Sequence, residues 1–258
     1  MSENRKFSVL MSVYVKENPV FLEEAVESII HQTLKPSEVV IVEDGPLTPE
    51  LYQVLEKLEA QSSIPIKRCP LEQNRGLGLA LQNGVLQCQY DVIARMDTDD
   101  IAVEDRFEQQ FELMEKENLD LLGGHIAEFI DQPDEIVSYR RVPTKHEDII
   151  AYQRMRSAFN HMTVMFKKEM VLKAGNYEDG LYMEDDLLWL NMISAGARTG
   201  NVDQILCKVR VGAGMFERRG GLRYLKLYRQ ARKRMHARGQ ISYGEYLKSV
   251  LIQVVVAL

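Results

Sequence analysis

Asp91-Val92-Ile93-Ala94-Arg95-Met96-Asp97-Thr98-Asp99-Asp100 joins a short apolar run to three carboxylates within four residues. A run of this length bounded by polar residues reads as a buried strand, Asp91–Met96, with the acidic residues just past its carboxyl end. The same arrangement occurs upstream. Val39-Val40-Ile41-Val42 centres a strand over Glu38–Glu43, stopped by the turn sequence Asp44-Gly45-Pro46. An apolar, β-branched strand over Phe7–Val15 comes earlier still, and short strands are expected over Ile64–Cys69 and Asp120–Gly124. Between them lie helical patterns. Phe21, Leu22, Ala25, Val26, Ile29 and Ile30 recur at helical spacing behind Pro19. Thr48-Pro49-Glu50 opens a second helix, Gly76–Leu86 is a third, and Val103–Glu117 carries Phe107, Phe111 and Met114 on one stripe. Strands alternating with helices imply right-handed crossovers and a doubly wound, mostly parallel α/β sheet. Such sheets bind ligands outside the carboxyl ends of their strands, where both acidic clusters fall.

The second half is less regular. Ile136–Arg140 reads as an edge strand, Met162–Phe166 and Asn201–Val211 as further strands, and Lys167–Ala174 and Glu184–Ala195 as helices. From Leu222 onward the chain looks helical, with Leu222, Leu225, Tyr228 and Met235 beside a basic face and an apolar run at Val250–Leu258. The whole chain of 258 residues carries a formal charge of −6. Residues 217–258 hold ten Lys or Arg against two acidic residues, a balance of +8 that leaves −14 for residues 1–216. An acidic body disfavours general nucleic-acid binding, while a basic tail suits an anionic partner. Three scattered cysteines, Cys69, Cys88 and Cys207, offer neither zinc spacing nor a disulfide framework and suggest a reducing cytoplasm. No run has the character of a signal peptide or of a membrane span.

Several clusters could carry chemistry. Asp97, Asp99 and Asp100 repel one another unless a hard cation such as Mg²⁺ or Mn²⁺ offsets their charge; the competing reading is a solvated loop before the next helix. Asp44, at a strand end, can accept hydrogen bonds from a nucleotide, or can simply make a turn. Asn74-Arg75-Gly76-Leu77-Gly78 puts glycine-rich backbone and a cation ahead of a helix, which suits phosphate, although neither a dinucleotide fingerprint nor a P-loop is present. Glu184-Asp185-Asp186 opens a helix. Acidic residues belong there on dipole grounds alone, and the same dipole keeps a general base ionised. His161 and Trp189 read as structural residues.

The order of these motifs resembles family 2 glycosyltransferases. The resemblance is carried by Ser8–Tyr14, by Leu22–Thr33 ending in His31-Gln32-Thr33, by Val42-Glu43-Asp44-Gly45, by Asn74-Arg75-Gly76 and by Asp97-Thr98-Asp99-Asp100. It continues through His161-Met162-Thr163-Val164-Met165-Phe166 and Glu184–Leu190, and so covers about residues 7–211. Within the family the chain is similar to bacterial enzymes of capsule, O-antigen and exopolysaccharide assembly, through Val42–Thr48 and Arg218-Arg219-Gly220-Gly221. Two departures stand out. Glu43 replaces the first Asp of the usual Asp-Asp-Gly-Ser, and Val209-Arg210-Val211-Gly212 lacks the His often found there.

The resemblance implies a GT-A fold with a C-terminal helical extension. It divides residues 1–216 into a nucleotide-sugar half (1–124) and an acceptor half (125–216), followed by a basic amphipathic tail (217–258). It implies a nucleotide-sugar donor, a divalent cation and inversion at the anomeric carbon. Carried over by position, Ser12 and Asp44 contact the base, Asn74 and Arg75 line the donor site, and Asp97 holds the ribose. Asp99 ligates the metal, Asp100 is the alternative ligand, and Asp185 is the general base with Glu184 beside it. The expected donor is UDP-galactose or UDP-glucose. The expected acceptor is a polyprenyl-diphosphate-linked glycan on the inner face of the cell membrane. There the tail makes peripheral contact, packs on the body, or forms a homodimer. The rival readings are a nucleotidyltransferase and a GT-A domain that has lost catalysis and only binds.

Overall fold

The computed structural model describes residues 5–179, 183–212 and 221–257. Strand and helix alternate through the first half: β1 (Phe7–Val13), α1 (Pro19–Ile30), β2 (Glu38–Glu43), α2 (Pro49–Gln61), β3 (Ile66–Pro70), α3 (Leu77–Gln87) and β4 (Val92–Arg95). Local chemistry sets these boundaries. The Asn18 side chain accepts from the Val20 amide at 2.9 Å and Pro19 fills the first turn of α1. Thr48 and Pro49 do the same for α2. All six residues of β2 are buried, as expected of a strand covered on both faces.

After β4 come β5 (Ile101–Ala102), α4 (Arg106–Glu117), β6 (Leu121–Phe129), β7 (Ile136–Arg140) and α5 (His146–Gln153). A short 3₁₀ turn at His161–Thr163 leads into β8 (Met165–Lys167), α6 (Lys168–Lys173), α7 (Glu184–Ser194) and β9 (Thr199–Arg210). Two final helices follow, α8 (Gly221–Ala237) and α9 (Tyr243–Ala257). Their start confirms helix from about Leu222, while Arg218, Arg219 and Gly220 lie outside the described residues.

One sheet joins the strands in the order β3-β2-β1-β4-β8-β6-β9-β5, with β7 on β6. The four strands β3-β2-β1-β4 are parallel, and so is β6 with β9. The ladders β4–β8, β6–β8, β6–β7 and β5–β9 are antiparallel. The expected parallel winding therefore holds in the first half, while strands returning from the second half close the sheet from the other side. β1 ends at Val13, short of the expected Val15, because the chain turns there: Glu17 donates its amide to the Tyr14 carbonyl at 3.0 Å. β6 runs on to Phe129, well past Gly124. At Gly124 a Cβ would stand 2.5 Å from Leu206, so the glycine that looks like a strand end permits close packing of β9.

Alternate residues of the central strands feed two cores. Val9, Met11 and Ile41 face the side covered by α1, α2 and α4; Leu10, Val40 and Val42 face the side covered by α3 and α7. Helix α7 is buried on two faces. Leu188, Trp189 and Met192 join the second core, while Met183, Leu187 and Leu190 pack with Ala231, Met235 and Ile241 of the C-terminal hairpin.

Helix α3 approaches the sheet through Gly84, where a Cβ would meet Leu10 Cδ1 at 2.3 Å and Val42 Cγ2 at 2.9 Å. Both contacted side chains are fully buried and have no room to retreat. Gly84→Ala therefore lowers the unfolding free energy by roughly 1–3 kcal/mol of overpacking, despite the helix-propensity gain of about 1 kcal/mol. Urea denaturation of the two proteins measures the difference.

Candidate active site

The carboxyl ends of β1, β2 and β4 lie side by side, and the loops that leave them form the site. Ser12 is near the end of β1, in register with Val42. Its carbonyl accepts from Thr98 Oγ1 at 3.4 Å, which ties the β1 end to the acidic loop. Thr98 Oγ1 also donates to Glu17 Oε2 at 2.6 Å. Glu17 thus joins the site from the β1–α1 loop, a position the sequence alone does not single out.

Asp44 is buried at the end of β2. Its carboxylate accepts from the Arg75 amide at 2.7 Å and the Gly76 amide at 3.0 Å, while Asn74 Nδ2 donates to its carbonyl at 3.1 Å. Both carboxylate oxygens of Asp44 therefore hold the 74–76 loop in place, a role the sequence reading did not foresee. The Arg75 side chain itself is exposed. Glu43 is turned away and pairs with Arg68 Nε of β3 at 2.6 Å.

Asp97, Asp99 and Asp100 each offer an oxygen within 4.8 Å of the others. That spacing and an all-oxygen donor set suit a hard divalent cation. Burial, with Asp97 and Glu17 beside it, pushes the Asp99 carboxyl up to about 7. Burial, with Asp99 and Asp97 beside it, pushes Asp100 well above the usual carboxylate range. One Asp100 oxygen is already engaged, accepting from the Arg210 amide at 3.0 Å. The Arg210 guanidinium lies over the rings of Phe21 at 3.8 Å and Phe129 at 4.6 Å and pairs with Glu24 at 2.7 Å.

Two arginines support the acidic loop from below. Arg95, the last residue of β4, donates through Nη2 to Asp97, while its Nε and Nη1 are buried with no hydrogen-bond partner among the described residues. Its charge favours the ionised forms of Asp99 and Asp100 and also of Glu184 and Asp185. This one cation therefore joins the acidic loop to the start of α7. Its trace in the sequence is a charge inside an apolar run. Arg106 is wholly buried and donates to the Arg95 carbonyl at 2.7 Å, to Gln110 Oε1 at 3.0 Å and to Met96 Sδ at 3.1 Å.

Glu184 and Asp185 open α7, which stands against the start of α3. The close approach needs Gly78, where a Cβ would lie 2.4 Å from the Glu178 carbonyl oxygen and 3.0 Å from Glu184 Cβ. Asp185 accepts from the Asp186 amide at 2.8 Å. The expectation that the helix terminus keeps this group ionised is overturned. Burial, with Asp186 and Glu184 adjacent, pushes Asp185 up to about 8, and burial also raises Glu184. Three acidic side chains in one turn outweigh one helix end. His161 and Trp189 are structural, as read: His161 Nε2 is 3.0 Å from Tyr177 Oη, and burial and then Arg95 hold it well below its ordinary range. Trp189 is fully buried beside both.

Comparison with known proteins agrees with this picture. The sequence model described as "Glycosyl transferase family 2" matches residues 8–175. The amylovoran biosynthesis glycosyltransferase AmsE of Erwinia amylovora is 42% identical over 85% of this chain and 82% of its own length. The UDP-Gal:alpha-D-GlcNAc-diphosphoundecaprenol beta-1,3-galactosyltransferase of Escherichia coli is 35% identical over 98% of this chain and 91% of its own. Among solved structures, the mannosyltransferase PcManGT of Pyrobaculum calidifontis, in complex with GDP-Man and Mn²⁺, superposes with a TM-score of 0.69 at 15% identity. It covers 97% of this chain and 69% of its own length, a likeness of GT-A fold. Sequence along most of the chain and fold agree, which sets the nucleotidyltransferase reading aside: the chain belongs to glycosyl transferase family 2.

Proposed function

We propose that this chain is an inverting, metal-dependent hexosyltransferase of bacterial surface-polysaccharide synthesis. In this reading it moves galactose or glucose from a UDP-sugar to a polyprenyl-diphosphate-linked glycan at the cytoplasmic face of the membrane. The observation that carries it is the acidic loop of Asp97, Asp99 and Asp100, linked through Arg95 to a second acidic turn at Glu184 and Asp185. The relatives support the donor and acceptor classes. One is a galactosyltransferase named for UDP-Gal and a diphosphoundecaprenol-linked sugar, and another belongs to amylovoran biosynthesis. The chain divides accordingly into a donor half (1–124), an acceptor half (125–216) and a tail (217–258).

Asp99, with Asp100 as the alternative ligand, would hold Mg²⁺ or Mn²⁺, and the bound ion would neutralise the diphosphate leaving group without a proton. In this reading Ser12 and Asp44 would contact the base, Asn74 and Arg75 would line the donor site, and Asp97 would hold the ribose. Asp185 accepts the proton of the acceptor hydroxyl as that oxygen attacks the anomeric carbon and the nucleoside diphosphate departs from the opposite face. One displacement gives inversion, with no covalent sugar intermediate. Burial, then Asp186 and Glu184 beside it, keeps the Asp185 proton affinity high.

Asp99→Asn abolishes the Mn²⁺-dependent part of UDP-sugar binding and leaves the circular dichroism spectrum unchanged; titration calorimetry with and without metal measures it. Transfer by the wild-type protein at full rate in EDTA would refute the metal requirement. Asp185→Asn lowers kcat by on the order of 10²–10⁴ with donor affinity little altered. Because the base must lose a proton that burial holds to about pH 8, kcat/KM for the donor climbs with pH and levels off near there. A plateau reached by about pH 5 would contradict that assignment.

The same raised carboxyl bears on stability. The folded protein keeps a proton that the unfolded chain releases, so stability falls as pH rises from the ordinary Asp range to about 8. Asp185→Asn removes that loss and raises Tm more at about pH 8 than at about pH 5. Finally, UDP displaces a bound donor better than GDP or dTDP; the reverse order in a competition assay would overturn the uracil assignment.

A further inference from the structure

The C-terminal hairpin divides its side chains in a way that sequence periodicity did not predict. On α8 the inner face is taken. Ala231 and Met235 pack on α7, and Tyr228 lies against the same cluster. Arg232, counted by sequence among the basic face, is buried instead, donating to Ser249 Oγ of α9 at 3.0 Å and to the Arg154 carbonyl. Arg238 pairs with Glu178 at 2.5 Å. These residues dock the hairpin on the body, so part of the tail packs and part does not.

What remains is outward. Along α9, Tyr243, Leu247, Leu251, Ile252 and Val255 form one exposed apolar ridge, with Leu251 65% and Val255 77% exposed. The opposite face of α9 is already used by Ser249 and Tyr246, so rotation cannot hide the ridge. The adjoining α8 exposes Arg223, Lys226, Arg229 and Lys233, and Lys248 interrupts the ridge itself. None of these five cations makes an ion pair among the described residues. Within 221–257 the acidic residue is Glu245, and it is spent on the Ser242 amide at 2.6 Å.

We infer that this ridge, which carries Lys248 and belongs to a hairpin whose other helix exposes four further cations, is a docking surface for a bilayer containing anionic phospholipid. An exposed apolar strip on a strongly basic hairpin is what an interfacial element presents: its aliphatic side chains enter the acyl boundary and the surrounding positive charge attracts anionic headgroups. Helix α9 has fifteen residues, about 22 Å at the rise of an α-helix. That is short of a span, and no helix among the described residues is long and apolar enough to cross a membrane. The helix therefore lies along the surface. A second copy of the chain is a poorer occupant, since it would bring an identical set of cations against these. The surface is independent of the transfer chemistry, so vesicles without any glycan acceptor are sufficient to test it.

The test is flotation of the full-length chain with phosphatidylcholine vesicles, with and without phosphatidylglycerol, at low and high salt. The protein floats with the anionic vesicles at low salt, and binding weakens as salt is raised. Combined Lys226→Ala, Arg229→Ala and Lys233→Ala lowers the partition coefficient by about a hundredfold, roughly fivefold for each cation. Combined Leu251→Ser and Val255→Ser lowers it by at least about tenfold. These positions are exposed, so each variant keeps the wild-type Tm. Three results would overturn the inference. One is failure of the wild type to float with anionic vesicles at low salt. Another is flotation indifferent to Leu251→Ser and Val255→Ser. The third is a stable dimer in sedimentation velocity that those two substitutions dissociate.

Discussion

Mutual repulsion among carboxylates crowded at the end of one strand is the constraint around which this molecule is arranged. Asp97, Asp99 and Asp100 cannot all ionise cheaply in a partly buried loop, and the protein offsets their charge only in part. Arg95 reaches Asp97, the Arg210 amide reaches Asp100, and Thr98 is anchored between the Ser12 carbonyl and Glu17. Arg106, buried without an acidic hydrogen-bond partner, holds the strand end through the Arg95 carbonyl. Elements far apart in sequence thus converge on four residues.

Incomplete compensation extends beyond the loop. Among the described residues Arg95 leaves two buried donor atoms unused, a costly state in a folded interior. Its charge falls on both acidic groups, so the acidic loop and the start of α7 share one electrostatic environment although Asp100 and Glu184 are 84 positions apart in sequence. A site of this kind is more stable with a cation or a hydrogen-bond acceptor present than without, which is what a binding site requires.

Legibility in the sequence followed the range of the interactions. β2 and β7 were readable residue for residue, because an apolar run or an alternating edge declares itself locally. The acidic residues were readable as well, being placed by strand ends. β5 was not: two residues, Ile101 and Ala102, make no pattern, and they become a strand only by pairing with Cys207 and Lys208. The glycines of β6 looked like a strand end because their purpose lies in Leu206 and Thr163. The hold of Asp44 on the 74–76 loop was not legible, because its partners are thirty-one and thirty-two positions away. Glu17 was invisible for the same reason. The ionisation of Asp185 was misjudged because the helix dipole is a local rule, whereas burial is set by the whole fold.

The cover that α8 places over Met183, Leu187 and Leu190 has a consequence for where this protein can be cut. A chain ending before Gly221 would present those side chains to water on the helix that begins with Glu184 and Asp185. It would also lose the Arg238 pair that anchors Glu178, and with it the segment next to Gly78. The hairpin is thus part of the packing of α7 as well as an appendage to it. A shortened protein would lose activity through a loosened core whatever the hairpin contributes elsewhere, so the smallest independently folding unit of this enzyme is longer than its sequence motifs.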